Sequence, residues 1–203
     1  MHGVVDGRAA RWAGHREQRR AEFVEAALAV IAREGPNSTV DAIAGERGVS
    51  RQALYRQFDD RTDLDRAIAQ KAADDLVLAL LPALTLRGDV STSVRRALSA
   101  YLDHVQAHLP LYRFVRSHEA DVVENVKDSI AVRVATLAHE YVVSSGVVPE
   151  DFEMTFAVGV VGLADGVIQH WLDAPGDVTR EDLVDRLVLM VGGVISGVLG
   201  SLS

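Results

Sequence analysis

Residues 38–64 read STVDAIAGERGVSRQALYRQFDDRTDL, and this stretch decides the fold. It predicts two short helices that meet at Gly48, with almost no connecting chain between them. A glycine lets the backbone reverse sharply, and small alanine side chains let two helices cross closely. The apolar side chains expected to face inward are Ile43, Ala44, Val49 and Leu54. This layout is typical of a helix-turn-helix motif.

The sequence on either side of this stretch also predicts helices. An apolar stripe with helical spacing runs from Phe23 to Ile31, and Gly35-Pro36 ends that first helix. The helix starts are expected at Ser38 or Thr39, Ser50, Asp59-Asp60, Ser91 or Ser93, and Thr179 with Asp182. The third helix is expected over 51–58, the fifth up to Pro110, the sixth over 111–118, the eighth over 150–173 and the ninth over 179–201. No alternation typical of strands appears, so the sequence predicts an all-α protein of about nine helices.

Composition and charge exclude several classes of protein. The 203 residues carry a net charge of −8 and no cysteine, which excludes disulfide scaffolds, thiolate zinc sites and cysteine nucleophiles. Residues 1–66 hold 11 Arg and 11 acidic residues, so the acidic excess lies in 67–203. No apolar leader is visible, and a cytoplasmic protein is expected. The uncharged stretch from Leu187 to Ser203 leaves a membrane anchor as an alternative to a buried or interface helix, which the pattern favours.

Polar residues around the second short helix have the chemistry of DNA recognition. Arg51 and Gln52 lie at its N-terminal end, where arginine can fork onto guanine and glutamine onto adenine. Phosphate contacts are expected from Tyr55 and Arg56, from the helix starts at Thr39 and Ser50, and from Arg19 and Arg20 before the first helix. Alternatively, Arg51, Gln52 and Arg56 form an ordinary solvated helix face.

As a set, these residues resemble the DNA-binding domain of the TetR family of transcriptional regulators. The matching features are the first helix ending at Gly35, Ser38-Thr39-Val40, Ile43-Ala44, Gly48-Val49-Ser50, Leu54-Tyr55, Phe58 and Asp63-Leu64. The resemblance implies a dimeric, all-helical repressor that releases its operator when a small molecule binds. It implies base readout by Arg51 and Gln52 and a phosphate contact by Tyr55. Arg61 stands where the family usually has Lys, and the retained charge keeps a phosphate contact there plausible.

The last two predicted helices are rich in glycine at three- and four-residue spacing, which suggests close packing that offsets the cost of glycine in a helix. The resemblance implies that these helices form a four-helix bundle across a two-fold axis. The dimer residues expected from it are Gly159, Gly162, Gly166, Leu187, Met190, Val194 and Val198. The alternative is close packing inside one subunit. The second short helix is the expected recognition helix, the one that enters the major groove. A dimer would present two recognition helices about one DNA turn apart, which predicts a palindromic operator.

The resemblance also places a small-molecule site among the fourth to eighth helices. Its expected lining comprises Tyr101, His104, Leu109, Tyr112, Phe114, Val115, His118, Phe156, Gln169 and Trp171. Apolar walls with a few polar groups are typical of such pockets, and the scarcity of basic residues favours a hydrophobic or amphipathic effector. The alternative assigns the apolar members to the core and the polar ones to the surface.

No cofactor is expected, and no recognised catalytic motif is present in the sequence. His104 and His108 have the i, i+4 spacing of metal ligands, but a metal site needs three or four converging groups. The sequence therefore predicts a flexible arm over 1–15, a helix-turn-helix DNA-binding domain over 16–62 and a ligand-binding and dimerisation domain over 63–203. The predicted function is that of a cytoplasmic, homodimeric, ligand-responsive repressor. The alternatives are an activator or ligand-independent architectural regulator, and an all-α small-molecule-binding protein or enzyme with an incidental helix pair.

Overall fold

The computed structural model describes residues 7–85, 89–143 and 152–201, and these residues form nine helices and no strand. The helices are α1 (Gly7–Glu34), α2 (Val40–Glu46), α3 (Arg51–Leu54), α4 (Arg61–Leu80), α5 (Val90–Ala107), α6 (Leu109–His118), α7 (Ala120–Val143), α8 (Phe152–Asp173) and α9 (Arg180–Ser201). The prediction of an all-α fold is confirmed.

Several helix boundaries differ from the sequence prediction. Helix α5 ends at Ala107, and Pro110, the predicted end of that helix, instead lies in the first turn of α6. Helix α1 already begins at Gly7, within the stretch expected to be a flexible arm, and residues 1–6 lie outside the described residues. Helix α3 ends at Leu54 rather than Phe58, because the amide of Gln57 turns back to the Leu54 carbonyl at 2.8 Å. Helix α5 is capped by Asp89 rather than by a serine, since the Thr92 amide donates to the Asp89 carboxylate at 2.7 Å.

The predicted helix signals at Gly35, Thr39, Ser50 and Thr179 are confirmed. Gly35, directly after α1, has φ +98°, a backbone conformation that residues with a Cβ rarely adopt. The hydroxyls of Thr39 and Ser50 accept hydrogen bonds from the amides of Ala42 and Ala53 and so cap α2 and α3. At the start of α9, Thr179 and Asp182 exchange side-chain-to-amide hydrogen bonds in a reciprocal capping box.

The first of two compact units contains the chain up to residue 74 together with residues 108–123. Its core gathers side chains from α1 to α4 and from α6, namely Phe23, Val24, Ala27, Val30, Ile31, Val40, Ile43, Ala44, Leu54, Phe58, Leu64, Ile68, Leu111 and Phe114. The sequence division at residue 62 had placed α6 in the other domain, because helical periodicity does not reveal a helix's packing partner. Val49, expected to face inward, is instead 37% exposed.

Arg20 fastens α1 to the connection between α3 and α4. Its guanidinium donates to the Gln57 carbonyl at 3.0 Å and to both carboxylate oxygens of Asp63, and it lies 4.3 Å from the ring centre of Phe58. Hydrogen bonding from Arg20 lowers the pKa of Asp63 from 3.8 to about 2. The ion pair therefore fixes the middle of α1 beside the end of α3.

The second unit contains residues 75–107 and the chain from residue 124 onward. Its main core lies between α5, α8 and α9 and consists of Leu98, Leu102, Ile168, Leu183, Val184, Leu187 and Val188. The Trp171 indole donates to the Val178 carbonyl at 2.7 Å and closes the turn between α8 and α9. Arg180, the first residue of α9, hydrogen-bonds to Asp103 and to the Ser99 carbonyl of α5.

One face of α8 and α9 exposes apolar side chains that this core does not cover. Exposed members are Met154, Val158, Leu189, Met190 and Val194, with Leu189 reaching 75% exposure. Residues 153–173 are long and apolar enough to span a membrane by length and composition alone. Little of this stretch is buried within the chain. A Cβ placed on Gly159, Gly162 or Gly166 would meet no atom within 4 Å, so packing inside one subunit does not explain these glycines.

Replacing Asp63 by Asn should lower the free energy of unfolding by about 1–2 kcal/mol at pH 7, because Arg20 loses a half-exposed ionic partner. The pKa of Asp63 is lower in the folded chain than in the unfolded chain. The stabilisation is therefore complete above about pH 4 and is lost as the pH falls towards 2. Urea unfolding at pH 7 and pH 3 should show a smaller difference between wild type and variant at pH 3. Asp59→Asn, which removes an exposed carboxylate from the same loop, is the control and should change stability by less than about 0.5 kcal/mol. A gap that stays constant with pH would contradict this account.

Candidate nucleic-acid interface

The turn between α2 and α3 is closed by backbone hydrogen bonds around one left-handed residue. Gly48 has φ +64°, its amide donates to the Gly45 carbonyl at 2.9 Å, and the Val49 amide returns to the Ala44 carbonyl at 3.0 Å. A residue with a Cβ would be strained at this φ. The glycine therefore sets the angle at which α3 leaves α2.

Helix α3 turns its polar side chains outward while Leu54 fills the core. Arg51, Gln52 and Arg56 are exposed. The Arg51 side chain is 59% exposed, lies 5.5 Å above the Tyr55 ring and is only loosely paired with Asp41, at 3.9 Å. An exposed ion pair at that distance contributes little, so the guanidinium is available to another acceptor.

Tyr55 connects this outer face to the core. It follows the last residue of α3, its amide donates to the Arg51 carbonyl at 3.1 Å, and its half-buried ring packs against the first unit's core. The ring is held in one place by this packing, which suits a residue that positions a backbone contact.

An open depression of about 480 Å³ gathers several of the predicted residues on one surface of the first unit. Its lining includes Thr39, Arg51, Tyr55 and Arg61 from the predicted set. Sequence reasoning had not assigned Asn37 and Asp41 to this surface and had given His118 to the effector site. His118 comes from the end of α6, and no local sequence signal shows that α6 packs on the first unit. The structure therefore brings an exposed α6 histidine to the surface that carries Arg51.

The guanidinium groups of Arg20 and Arg61 are engaged inside the fold rather than free for phosphate. Arg20 holds Asp63 and the Gln57 carbonyl, as described above. The Arg61 Nε donates to the Asp65 carboxylate at 2.7 and 2.8 Å, and its terminal nitrogens reach the Ser38 carbonyl at 3.3 and 3.4 Å. Both arginines thus have structural partners that the sequence alone does not show. Arg19 is exposed.

The residues expected to line an effector site divide between the two units. Leu109, Tyr112, Phe114, Val115 and His118 belong to the first unit, whereas Tyr101, His104, Phe156, Gln169 and Trp171 belong to the second. Phe114 is wholly buried in the first core, where its ring stacks on His118 at 4.7 Å, so it is a core residue and not a pocket wall. His104 and His108 also fall in different units. Within the described ranges no group of three or more potential metal-binding side chains occurs.

Comparison with known proteins supports this reading of the surface. Residues 23–68 match the family model described as "Bacterial regulatory proteins, tetR family". The chain is 28% identical to the HTH-type transcriptional regulator Rv0472c of Mycobacterium tuberculosis, over 96% of this chain and 85% of that protein. It is also 28% identical to the HTH-type transcriptional activator FasR of Mycolicibacterium smegmatis, over 90% of this chain and 85% of that protein. A TetR-family regulator from Streptomyces coelicolor shares the fold, with a TM-score of 0.72 and 22% identity over 92% of this chain and 84% of that one.

Arg51→Ala should relax base preference at one position of the bound DNA site and weaken specific binding by about 1–3 kcal/mol. Tyr55→Phe should weaken binding to all sites to a similar extent, because a phosphate contact carries no sequence information. Selection of bound duplexes followed by fluorescence anisotropy measures both effects. If the Arg51 variant kept the wild-type base preferences, the assignment of Arg51 to base readout would be wrong.

Proposed function

We propose that this chain is a TetR-family transcriptional regulator, because it matches that family's model over residues 23–68 and is similar to an HTH-type regulator over most of its length. In this proposal it is a cytoplasmic, homodimeric repressor that binds a palindromic operator and is released by a small molecule. The observation that carries the proposal is the outward display of Arg51 and Gln52 on a helix whose angle is set by Gly48, with the exposed Arg56 just beyond its end. These side chains have the donors and acceptors that distinguish base edges in the major groove. The similarity of this chain to a family of DNA-binding regulators also favours regulation over catalysis as its main role.

The exposed apolar face of α8 and α9 supports a dimer. In an isolated chain Val158, Met190 and Val194 would remain in water, and several exposed apolar side chains on two helices favour an interaction surface there. The uncovered glycines of α8 would let a second copy approach closely. Leu187, predicted for the interface, is instead wholly buried in the core of its own unit, and the side chain of Val198 lies outside the described residues.

Repression is the simplest consequence of such a dimer on DNA. Two recognition helices related by a two-fold axis occupy two half-sites about one helical turn apart. A protein seated there excludes other proteins from the same base pairs without needing any further contact. Activation is the second candidate, and the similarity of this chain to FasR, which is named as an activator, favours it.

The effector site is proposed in the second unit and is expected to take a hydrophobic or amphipathic molecule. Four of the predicted residues there, Tyr101, His104, Phe156 and Gln169, are half-buried and combine apolar rings with hydrogen-bonding groups. Such a mixture is typical of small-molecule pockets. An effector acts as a switch only if it binds the free and DNA-bound states with different affinity.

Selection of bound duplexes from a random pool tests the proposed function directly. A dimeric DNA-binding regulator should enrich a palindromic DNA sequence, and its affinity for that sequence should fall steeply as the salt concentration rises. The alternative is a helical binding protein or enzyme with an incidental helix pair. For that alternative, the folded dimer should enrich no DNA sequence from the pool. The selected operator then serves as the probe for effectors, and equal effector affinity with and without operator would rule out the release mechanism.

Reconstituted transcription separates the two signs of regulation. With the selected operator placed in a promoter, a repressor lowers transcript yield as protein is added, and an activator raises it. Arg51→Ala is the matched control, because it should weaken either effect without changing the second unit.

Val158→Glu should convert the dimer into monomers, because it places two charges in an apolar interface. Operator affinity should then fall by about 100-fold or more, since one half-site no longer supports the other. Val132→Glu on α7 is the control, as Val132 is 55% exposed and Val158 is 52% exposed. Sedimentation velocity reads the oligomeric state, and a Val158→Glu protein that still sediments as a dimer would exclude this face as the interface.

A further inference from the structure

The N-terminal part of α1 carries an unusual concentration of positive charge. Residues 7–20 read GRAARWAGHREQRR and hold five arginines, one histidine and one glutamate. This stretch is helical and continuous with the rest of α1. It precedes residues 23–68, the part of the chain that matches the family model. The match to the family model therefore does not include it.

Among the arginines of residues 16–66, most are paired with neighbouring acids, but Arg16 and Arg19 near the start of α1 are not. Arg33, Arg47 and Arg61 pair with Glu46, Glu22 and Asp65 at 2.6 to 2.9 Å. Among the residues whose side chains the structure describes, the exposed Arg16 and Arg19 have no acidic partner within 4.0 Å. The same holds for the exposed Arg56 just after α3. The uncompensated positive charge thus lies on the start of α1 and around α3.

The Arg20 anchor brings these two places together. Arg20 donates to the carbonyl of Gln57, the residue that follows Arg56, and so fixes α1 beside the end of the recognition helix. The sequence repeats basic residues at positions 8, 11, 15 and 19, and this spacing keeps the four positions along one face of a continuous helix. From Gly7 to Arg19 the helix extends for about 20 Å, the length of about six base pairs.

We propose that this basic start of α1, residues 7–19, binds the phosphate backbone of duplex DNA flanking each operator half-site. The proposal rests on the proposed function, because the recognition helices must first set the protein on its operator. The contact is independent of sequence, since arginine binds phosphate through charge and paired hydrogen bonds. It also offsets the repulsion between DNA and a chain whose residues 67–203 carry eight more acidic than basic groups.

The test compares two duplexes that carry the selected operator. One ends at the outermost operator base pair, and the other has flanks of about eight base pairs on each side, longer than the estimated reach of the helix. Wild type should bind the flanked duplex more tightly and with a steeper dependence on salt. The variant R8Q/R11Q/R16Q/R19Q should lose about tenfold or more in affinity for the flanked duplex, and its salt slope should fall by about 3 per protomer.

The controls separate charge from position and from folding. R16Q/R19Q should show a partial loss, whereas R133Q/R186Q, with the same change of net charge in the second unit, should show none. Glutamine is nearly as good a helix former as arginine, so α1 should keep its helicity by circular dichroism. Base preferences from duplex selection should be the same in wild type and in the R8Q/R11Q/R16Q/R19Q variant.

Three results would overturn the proposal. The first is an unchanged affinity and salt slope on the flanked duplex. The second is an equal loss on both duplexes, which would place the effect inside the half-site. The third is a gain in affinity, which would mean that the basic stretch binds acidic groups of the protein itself. Failure of the proposed function is distinct from all three, because wild type would then select no operator at all.

Discussion

The recognition helix depends on the core of the first unit for its existence. Helix α3 has four residues, and a helix of that length has no stability of its own in water. It forms because Leu54 is buried with Ile43, Phe58 and Leu64, and because the Ser50 hydroxyl accepts the Ala53 amide. Every outward residue of α3 is therefore placed by an inward one. A loss of packing in this core would remove the DNA surface before any contact residue was changed.

Pairing of charges explains how an acidic chain can present a DNA-binding surface. The first 66 residues have equal numbers of arginines and acids, yet the pairing is uneven. Asp63 and Asp65 neutralise Arg20 and Arg61 inside the fold, and Arg51 stays loosely paired. Arginines that are paired with acids inside the fold hold helices together. The remaining arginines determine the electrostatic potential of the surface around α3. Net charge alone would have excluded nucleic acid as a partner, although the local distribution favours it.

The sequence revealed what local rules determine, and it missed what depends on distant contacts. The turn at Gly48, the caps at Thr39 and Ser50 and the box at Thr179 were predictable, because each involves residues at most five positions apart. The partners of Arg20 are 37 and 43 residues away and leave no periodic signal.

The same limit applies to apolar residues, because spacing predicts which face of a helix is buried but not what covers it. Leu187 and Phe114 do lie on buried, apolar faces of their helices. The sequence predicts a dimer interface for Leu187 and an effector site for Phe114, whereas both side chains lie in cores of the chain itself. Leu187 is covered by its own unit rather than by a second copy, and Phe114 by the first core rather than by an effector.

The way the chain passes between its two units constrains how an effector could act on DNA binding. The chain leaves the first unit within α4, returns between α5 and α6, and leaves again within α7. Two of these three passages lie inside continuous helices, which transmit a displacement because bending them breaks backbone hydrogen bonds. Helix α6 is held in the first core by Leu111 and Phe114, so a pull on either of its ends acts on the packing that supports α3. Buried Glu119, which joins α6 to α7 and lies 3.6 Å from Arg66 of α4, links two of the passages within the first unit. Under the proposed function, a displacement of α4 would therefore act directly on the recognition helix, because α4 supplies Leu64 and Ile68 to the core on which α3 depends.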